Sequence, residues 1–231
     1  MLNVTGDTTL ITMGTNTRIE DVSLKLTSTG HHELTGVLLS GDTNVTSKLR
    51  TLVVTVDNST AANTGVATSN VYGALITGTG NLGAANFSYN CIKGSTINVL
   101  SNGAGTKAAV EVIGAGASSC RDTNFYVAAP PDTHALGSYI GVQTNNSNGL
   151  FRIRSSGLSG YTADISQTQG TIEIGPGVDL VNKTANGKPF TSYVYPTTIF
   201  YGVKGNLSNA NITPGWLWPG TMSAQTGFRS G

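Results

Sequence analysis

"IEDVSLKLTSTGHHELTGVLLSG", residues 19–41, contains two short runs of alternating apolar residues joined by a polar turn around Gly30. The first run has three counterparts further along the chain: "LRTLVVTV" from Leu49, "IKGSTINV" from Ile92 and "CRDTNFYV" from Cys120. Aligned in one frame, the inward candidates are Ile19, Val22, Leu24 and Leu26; Leu49, Leu52, Val54 and Val56; Ile92, Ser95, Ile97 and Val99; and Cys120, Thr123, Phe125 and Val127. The last two columns are apolar in every row and lie two residues apart, as one face of a strand requires. The second position is charged each time: Glu20, Arg50, Lys93, Arg121. A looser fifth copy begins at "LFRIRSSG", residues 150–157.

Between the rows lies a second strand-like run, for example "ELTGVLLSG" from Glu33, "NVYGALITG" from Asn70 and "KAAVEVIGAG" from Lys107. Its register is ambiguous, because apolar residues occur on both parities. The pattern predicts strand, turn, strand, turn, repeated four to five times. The rows start 30, 43 and 28 residues apart, a period suited to a right-handed parallel β-helix whose stacked inward columns form one continuous core. The long interval assigns residues 57–70 and 78–90 to extended loops. The rival is an antiparallel sandwich or jelly roll, which also has short strands and Gly-rich turns but no reason to repeat one column pattern.

Composition agrees with an all-β chain. Of 231 residues, 30 are Gly and only 11% are charged, which leaves little material for exposed helical faces. The 13 basic and 12 acidic residues nearly cancel, so composition supplies no basic field for nucleic acid or anionic lipid. No apolar run reaches the length of a spanning helix. The opening "MLNVTGDTTL" has no visible secretory signal, and the abrupt end at "GFRSG" suggests a piece of a longer chain.

The β-helix is expected over residues 1–182, followed by an atypical segment, 183–231. Eight of the sixteen aromatics fall there, from Phe190 to Phe228. Solenoid ends need caps, so this segment is expected to close the stack or form a subunit interface. Tyr193, Tyr195, Tyr201, Trp216 and Trp218 are the candidate contact surface, with sugar stacking as the other use of such rings.

Evidence for catalysis is thin. Asp21 and Asp122 share a column but stand three coils apart, on the order of 14 Å at strand spacing, too far for a glycosidase pair. Asp164, Glu173 and Asp179 could approach one another in later coils. His31, His32 and Glu33 form the most ligand-like cluster, but no third His or Cys sits at metal spacing. Cys91 and Cys120 are expected to be free thiols, Cys120 in the core and Cys91 facing the other way. "GAGTK" (103–107) and "GAGASS" (114–119) fit coil corners, and no nucleotide loop or nucleophile elbow occurs. Eight Asn-X-Ser/Thr sequons, at Asn3, Asn44, Asn58, Asn86, Asn145, Asn182, Asn206 and Asn211, matter only if the chain meets a glycosylation machinery. No catalytic residue, metal or cofactor is assigned.

"GDTTLITMGTNTRIEDVSLKLTSTGHHELTGVLL" (6–39), "TSKLRTLVVTVDNST" (46–60), "IKGSTINV" (92–99), "YPTTIFYGVKGN" (195–206) and "WLWPGT" (216–221) resemble uncharacterised, often multi-copy β-helix proteins of giant DNA viruses of the mimivirus-like group. The resemblance covers most of the chain and brings no catalytic motif. It implies a structural or surface component of a virus particle, made in host cytoplasm, assembled as a homo-oligomer with a trimer favoured. Glycans or other virion proteins are the implied partners. A polysaccharide-degrading β-helix enzyme is the alternative.

Overall fold

The computed structural model describes residues 1–14, 17–40, 48–59, 69–78, 91–115, 117–128, 137–174, 178–180, 199–200 and 204–205. Among them there is no helix. Strands follow one another in groups of three: β1 (Leu2–Val4), β2 (Thr8–Met13), β3 (Arg18–Glu20); β4 (Ser23–Ser28), β5 (Leu34–Leu39), β6 (Lys48–Arg50); β7 (Val53–Asp57), β8 (Val71–Ile76), β9 (Ile92–Lys93). The series continues with β10 (Thr96–Leu100), β11 (Thr106–Val112), β12 (Ala117–Arg121); β13 (Asn124–Ala128), β14 (Ser138–Thr144), β15 (Leu150–Arg154); and β16 (Gly157–Gly160), β17 (Ala163–Gln167), β18 (Thr171–Ile174). Three dipeptide strands end it: β19 (Asp179–Leu180), β20 (Ile199–Phe200) and β21 (Lys204–Gly205).

Through β19, every third strand joins the same sheet; β20 then pairs with β18 and β21 with β19. The first sheet has eight strands in the order β1-β4-β7-β10-β13-β16-β19-β21, the second six (β2 to β17) and the third seven (β3 to β20). All pairings are parallel, in the stacked arrangement of a parallel β-helix, and the antiparallel sandwich is excluded. Register matches the repeat rows: Leu24 pairs with Val54, Val54 with Ile97, Ile97 with Phe125 and Phe125 with Leu158. Val54, Ile97, Phe125 and Leu158 are buried, while Leu24 near the first coil is half-buried.

Three differences from the sequence expectation have physical causes. First, each repeat row is two strands, not one. Between them Asp21, Thr51, Gly94, Asp122 and Ser155 all take positive φ, from 46° to 61°, and turn the chain from the third sheet into the first. Second, Val22 is 39% exposed although Leu52, Ser95 and Thr123 in its column are buried. It follows β3, the edge strand of its sheet, so no described strand lies beneath it. Third, the parity ambiguity of the second run is a bend. Ladder pairs form on either side of Gly36, Gly73, Ala109 and Gly141, but the register skips that column. A Cβ on Gly73 would stand 2.2 Å from Ile97 Cγ2 and 2.7 Å from the Ala109 carbonyl oxygen, so backbone there lies directly against the first sheet. Inward residues are therefore Leu34, then Val37 and Leu39, a spacing that no strict period of two produces.

Asp and Ser tolerate the left-handed corner better than a β-branched residue does. Thr51, at φ 52°, is the costly member of the column. Thr51→Asn is expected to stabilise the protein by about 0.5–1 kcal/mol in urea unfolding, and Thr51→Val to destabilise it. Equal midpoints for all three proteins would remove corner strain as a factor.

Candidate functional site

The corner is held by a ladder of hydroxyls. Ser95 Oγ donates to the Lys93 carbonyl (3.0 Å) and accepts from the Leu52 amide of the preceding coil (3.2 Å). Ser156 Oγ likewise donates to the Arg154 carbonyl (2.7 Å) and accepts from the Thr123 amide (3.2 Å). Thr123 Oγ1 donates to the Arg121 carbonyl (2.9 Å). Backbone groups that the turn removes from the ladders are thus satisfied inside the stack. The residue just before each corner is held at a fixed place on the outer face of the third sheet.

Those residues form one file. Glu20 pairs in register with Arg50, Arg50 with Lys93, Lys93 with Arg121 and Arg121 with Arg154. The charged second position seen in the repeat rows is thus a column running up the molecule, four cations above one carboxylate. Lys93 and Arg121 are exposed; Arg50 and Arg154 are half-buried. Arg50 Nε lies 3.7 Å from Glu20 Oε1, and Arg121 Nε 3.2 Å from its neighbour Asp122. Lys93 meets no carboxylate among the described residues. Two positions earlier on the same face stand Arg18, Lys48 and Arg152, the last bonded to Glu173 at 2.6 Å. Seven of the chain's thirteen Lys and Arg therefore occupy one face, although the charges nearly cancel overall. Charges that nearly cancel in composition are thus gathered by the fold, with Glu20 and Glu173 on the same face.

A second polar cluster lies on the outer side of the second sheet. Tyr72 is hydrogen-bonded to Glu111, which lies in the next coil and is only 4% exposed. Burial raises the Glu111 carboxyl above its ordinary range, and the bond to Tyr72 partly offsets this. The Tyr72 phenol is pushed up by burial and by the Glu111 and Glu33 charges, so carboxylates from the coils below and above act on one hydroxyl. Gln143 stacks on Glu111 in register, and Glu111 Oε2 and Gln143 Oε1 are both buried without a hydrogen-bond partner. Sequence missed this cluster because the bend obscures which residues of the second run share a face.

Of the residues singled out in the sequence, Asp164 is buried, its Oδ1 accepting from the Gly160 amide at 3.2 Å, and Glu173 is taken up by Arg152. Asp164, Glu173 and Asp179 lie on three different sheets, so the later coils do not bring them to one face. His32 Nδ1 stands 3.8 Å from Asp7 Oδ1, which also accepts from the Glu33 amide. Among the described residues no three His, Cys, Asp or Glu side chains converge as a metal site. Cys91 and Cys120 are free thiols; Cys120 stacks on Ile92. Cys91 is buried as well, its Sγ donating to the Ser119 carbonyl at 2.8 Å. Asn58 is fully buried, which removes its sequon from any glycan, whereas Asn3 and Asn145 are exposed. Tyr193, Tyr195, Tyr201, Trp216 and Trp218 lie outside the described residues, as do most of the two long loops. Among the described residues no helix is long and apolar enough to cross a membrane.

The class defined to this point is a parallel β-solenoid with one charge-lined face. No family model, no curated protein and no solved structure matches the chain.

Proposed function

We propose that the chain is a non-enzymatic structural or surface component of a virus particle, fibre- or spike-like. In this role a stiff stack of coils holds its outer faces and loops toward host, glycan or neighbouring virion proteins. One observation carries the mechanical part: coil after coil keeps the same register, so each outer column repeats at a fixed spacing on a rigid core. The resemblance to giant-virus β-helix proteins supports the particle setting and a homotrimer. Mass spectrometry and immunogold labelling of purified particles should find the protein on the virion; its presence only in soluble infected-cell extract would sink the assignment. If the aromatic segment joins subunits, removing residues 190–231 should lower the mass in solution to that of a monomer.

A second reading rests on Glu33, Tyr72 and Glu111. A carboxyl whose hold on its proton burial strengthens, beside an exposed carboxylate, is the pairing that acid-assisted glycoside cleavage uses. Incubation with neutral and acidic polysaccharides, followed by reducing-end measurement, separates the two readings. Cleavage lost in Glu111→Gln would establish the enzyme.

A further inference from the structure

We infer that the outer face of the third sheet binds an extended acidic polysaccharide along the file Arg50, Lys93, Arg121 and Arg154. The inference rests on the non-catalytic contact role proposed above and names its ligand class.

Parallel stacking places one cation per coil at about 4.8 Å intervals, so the four span roughly 14 Å. Unit charges at that separation repel by about 0.9 kcal/mol per neighbouring pair in water, less where long side chains splay. A structural face would relieve this with alternating carboxylates, as Glu20 does at the foot of the file for Arg50. Above Glu20 the file itself carries no acid: Asp122 meets Arg121 from the adjoining corner at 3.2 Å, and Lys93 meets no carboxylate among the described residues. Lys93 and Arg121, its central members, are also its exposed ones. The repulsion is relieved when a chain with regularly spaced anions lies along the stack.

A glycan bearing one acid per sugar advances along its axis by nearly the spacing of the coils, so successive acid groups can meet successive cations without either partner bending. Arg presents a planar fork that matches carboxylate and sulfate alike, while Lys93 supplies a point charge. Single-stranded nucleic acid would want aromatic platforms between the cations. The exposed described aromatic, Tyr126, lies instead on β13 in the first sheet.

The full chain is titrated with polygalacturonate, dextran sulfate, neutral dextran and an oligo(dT) strand, with probe length checked before and after. The acidic glycans should bind, more weakly as salt rises, and neutral dextran should not. Preference between the first two probes identifies carboxylate or sulfate as the acid. The double variant Lys93→Glu/Arg121→Glu should bind at least tenfold more weakly, with a salt dependence reduced by about two, roughly one per cation removed. Lys25→Glu, on the outer face of the first sheet, should bind as the parent does. No binding to either acidic glycan, or equal loss in Lys25→Glu and the double variant, overturns the inference. Tighter binding of oligo(dT) overturns it in favour of nucleic acid. Shortening of a bound probe would defeat the non-enzymatic reading while leaving the binding face intact, so the two failures are distinguishable.

Discussion

Ile97→Asp should leave the protein unfolded, or melting far below the parent, at neutral pH. Ile97 is fully buried, paired to Val54 beneath and Phe125 above, and its Cγ2 lies against the glycine bend at Gly73. Losing the apolar side chain costs about 2–3 kcal/mol, and burying a carboxyl without a partner costs at least as much again, even if it takes up a proton. That sum, about 5 kcal/mol, is comparable to the whole stability of many domains. Ile97→Val, which removes one methylene and keeps the column apolar, should cost only about 1 kcal/mol. Circular dichroism melts of the two variants decide the matter. A parent-like melt for Ile97→Asp would mean that the file does not carry the fold. Val54→Asp, one coil lower, should behave in the same way.

Lys107→Met should stabilise the protein at pH 7 and abolish a pH dependence that the parent shows in mildly alkaline solution. Lys107 lies in the inward column of Leu34 and Val71 and is fully buried. Its Nζ donates to the Gly103 carbonyl and stands 4.3 Å from the centre of the Tyr139 ring. Tyr139 donates its hydroxyl to the Ser101 carbonyl at 3.2 Å and meets Tyr161 edge-on. These contacts compensate the charge only in part, and burial lowers the amine to about 8 from an ordinary 10.5.

The sign follows from linkage. The folded state prefers the neutral amine, so this group's stabilising effect is complete above 10.5 and is lost as pH falls through about 8. The amount at stake is on the order of 3 kcal/mol. Cys91 acts oppositely: burial raises its thiol to about 11, so its effect is complete below 9 and is lost as pH rises through 11. The parent curve therefore mixes both groups, whereas the difference between parent and Lys107→Met isolates the lysine. Met fills similar volume but leaves the Gly103 carbonyl without this donor, so the net gain at pH 7 is about 1–2 kcal/mol. The offset between the urea midpoints should shrink from pH 7 to 8.5 and reverse by pH 10, because the amount at stake exceeds the net gain at pH 7; a constant offset would show that Lys107 carries its charge at no cost.

Much of the fold was legible along the chain because a solenoid writes its core as columns. Leu49, Val54 and Val56 recur as Ile92, Ile97 and Val99 because adjoining coils must interlock at the same positions. The corner was harder to see, since Asp21, Thr51, Gly94, Asp122 and Ser155 share a backbone conformation and no side-chain type. The bend at Gly36 and Gly73 was hidden for a different reason: it shifts the inward face by one residue in mid-strand, and any fixed period averages over it. Lys107 and Glu111 gave no signal as buried groups, because a charged residue in an apolar run more often faces water.

The parallel stack itself was determined by residue order alone, through the spacing of apolar residues that must be withdrawn from water together. The repeat rows already placed Glu20, Arg50, Lys93 and Arg121 in one column; tertiary structure alone decided that this column lies on the outer face and that Arg154, and Arg18, Lys48 and Arg152 two positions earlier, stand beside it. Arg50, Lys93, Arg121 and Arg154 are 43, 28 and 33 residues apart in a nearly neutral chain. Coulombic interaction depends on distance through space, and only the winding of the coils brings these four to neighbouring rungs.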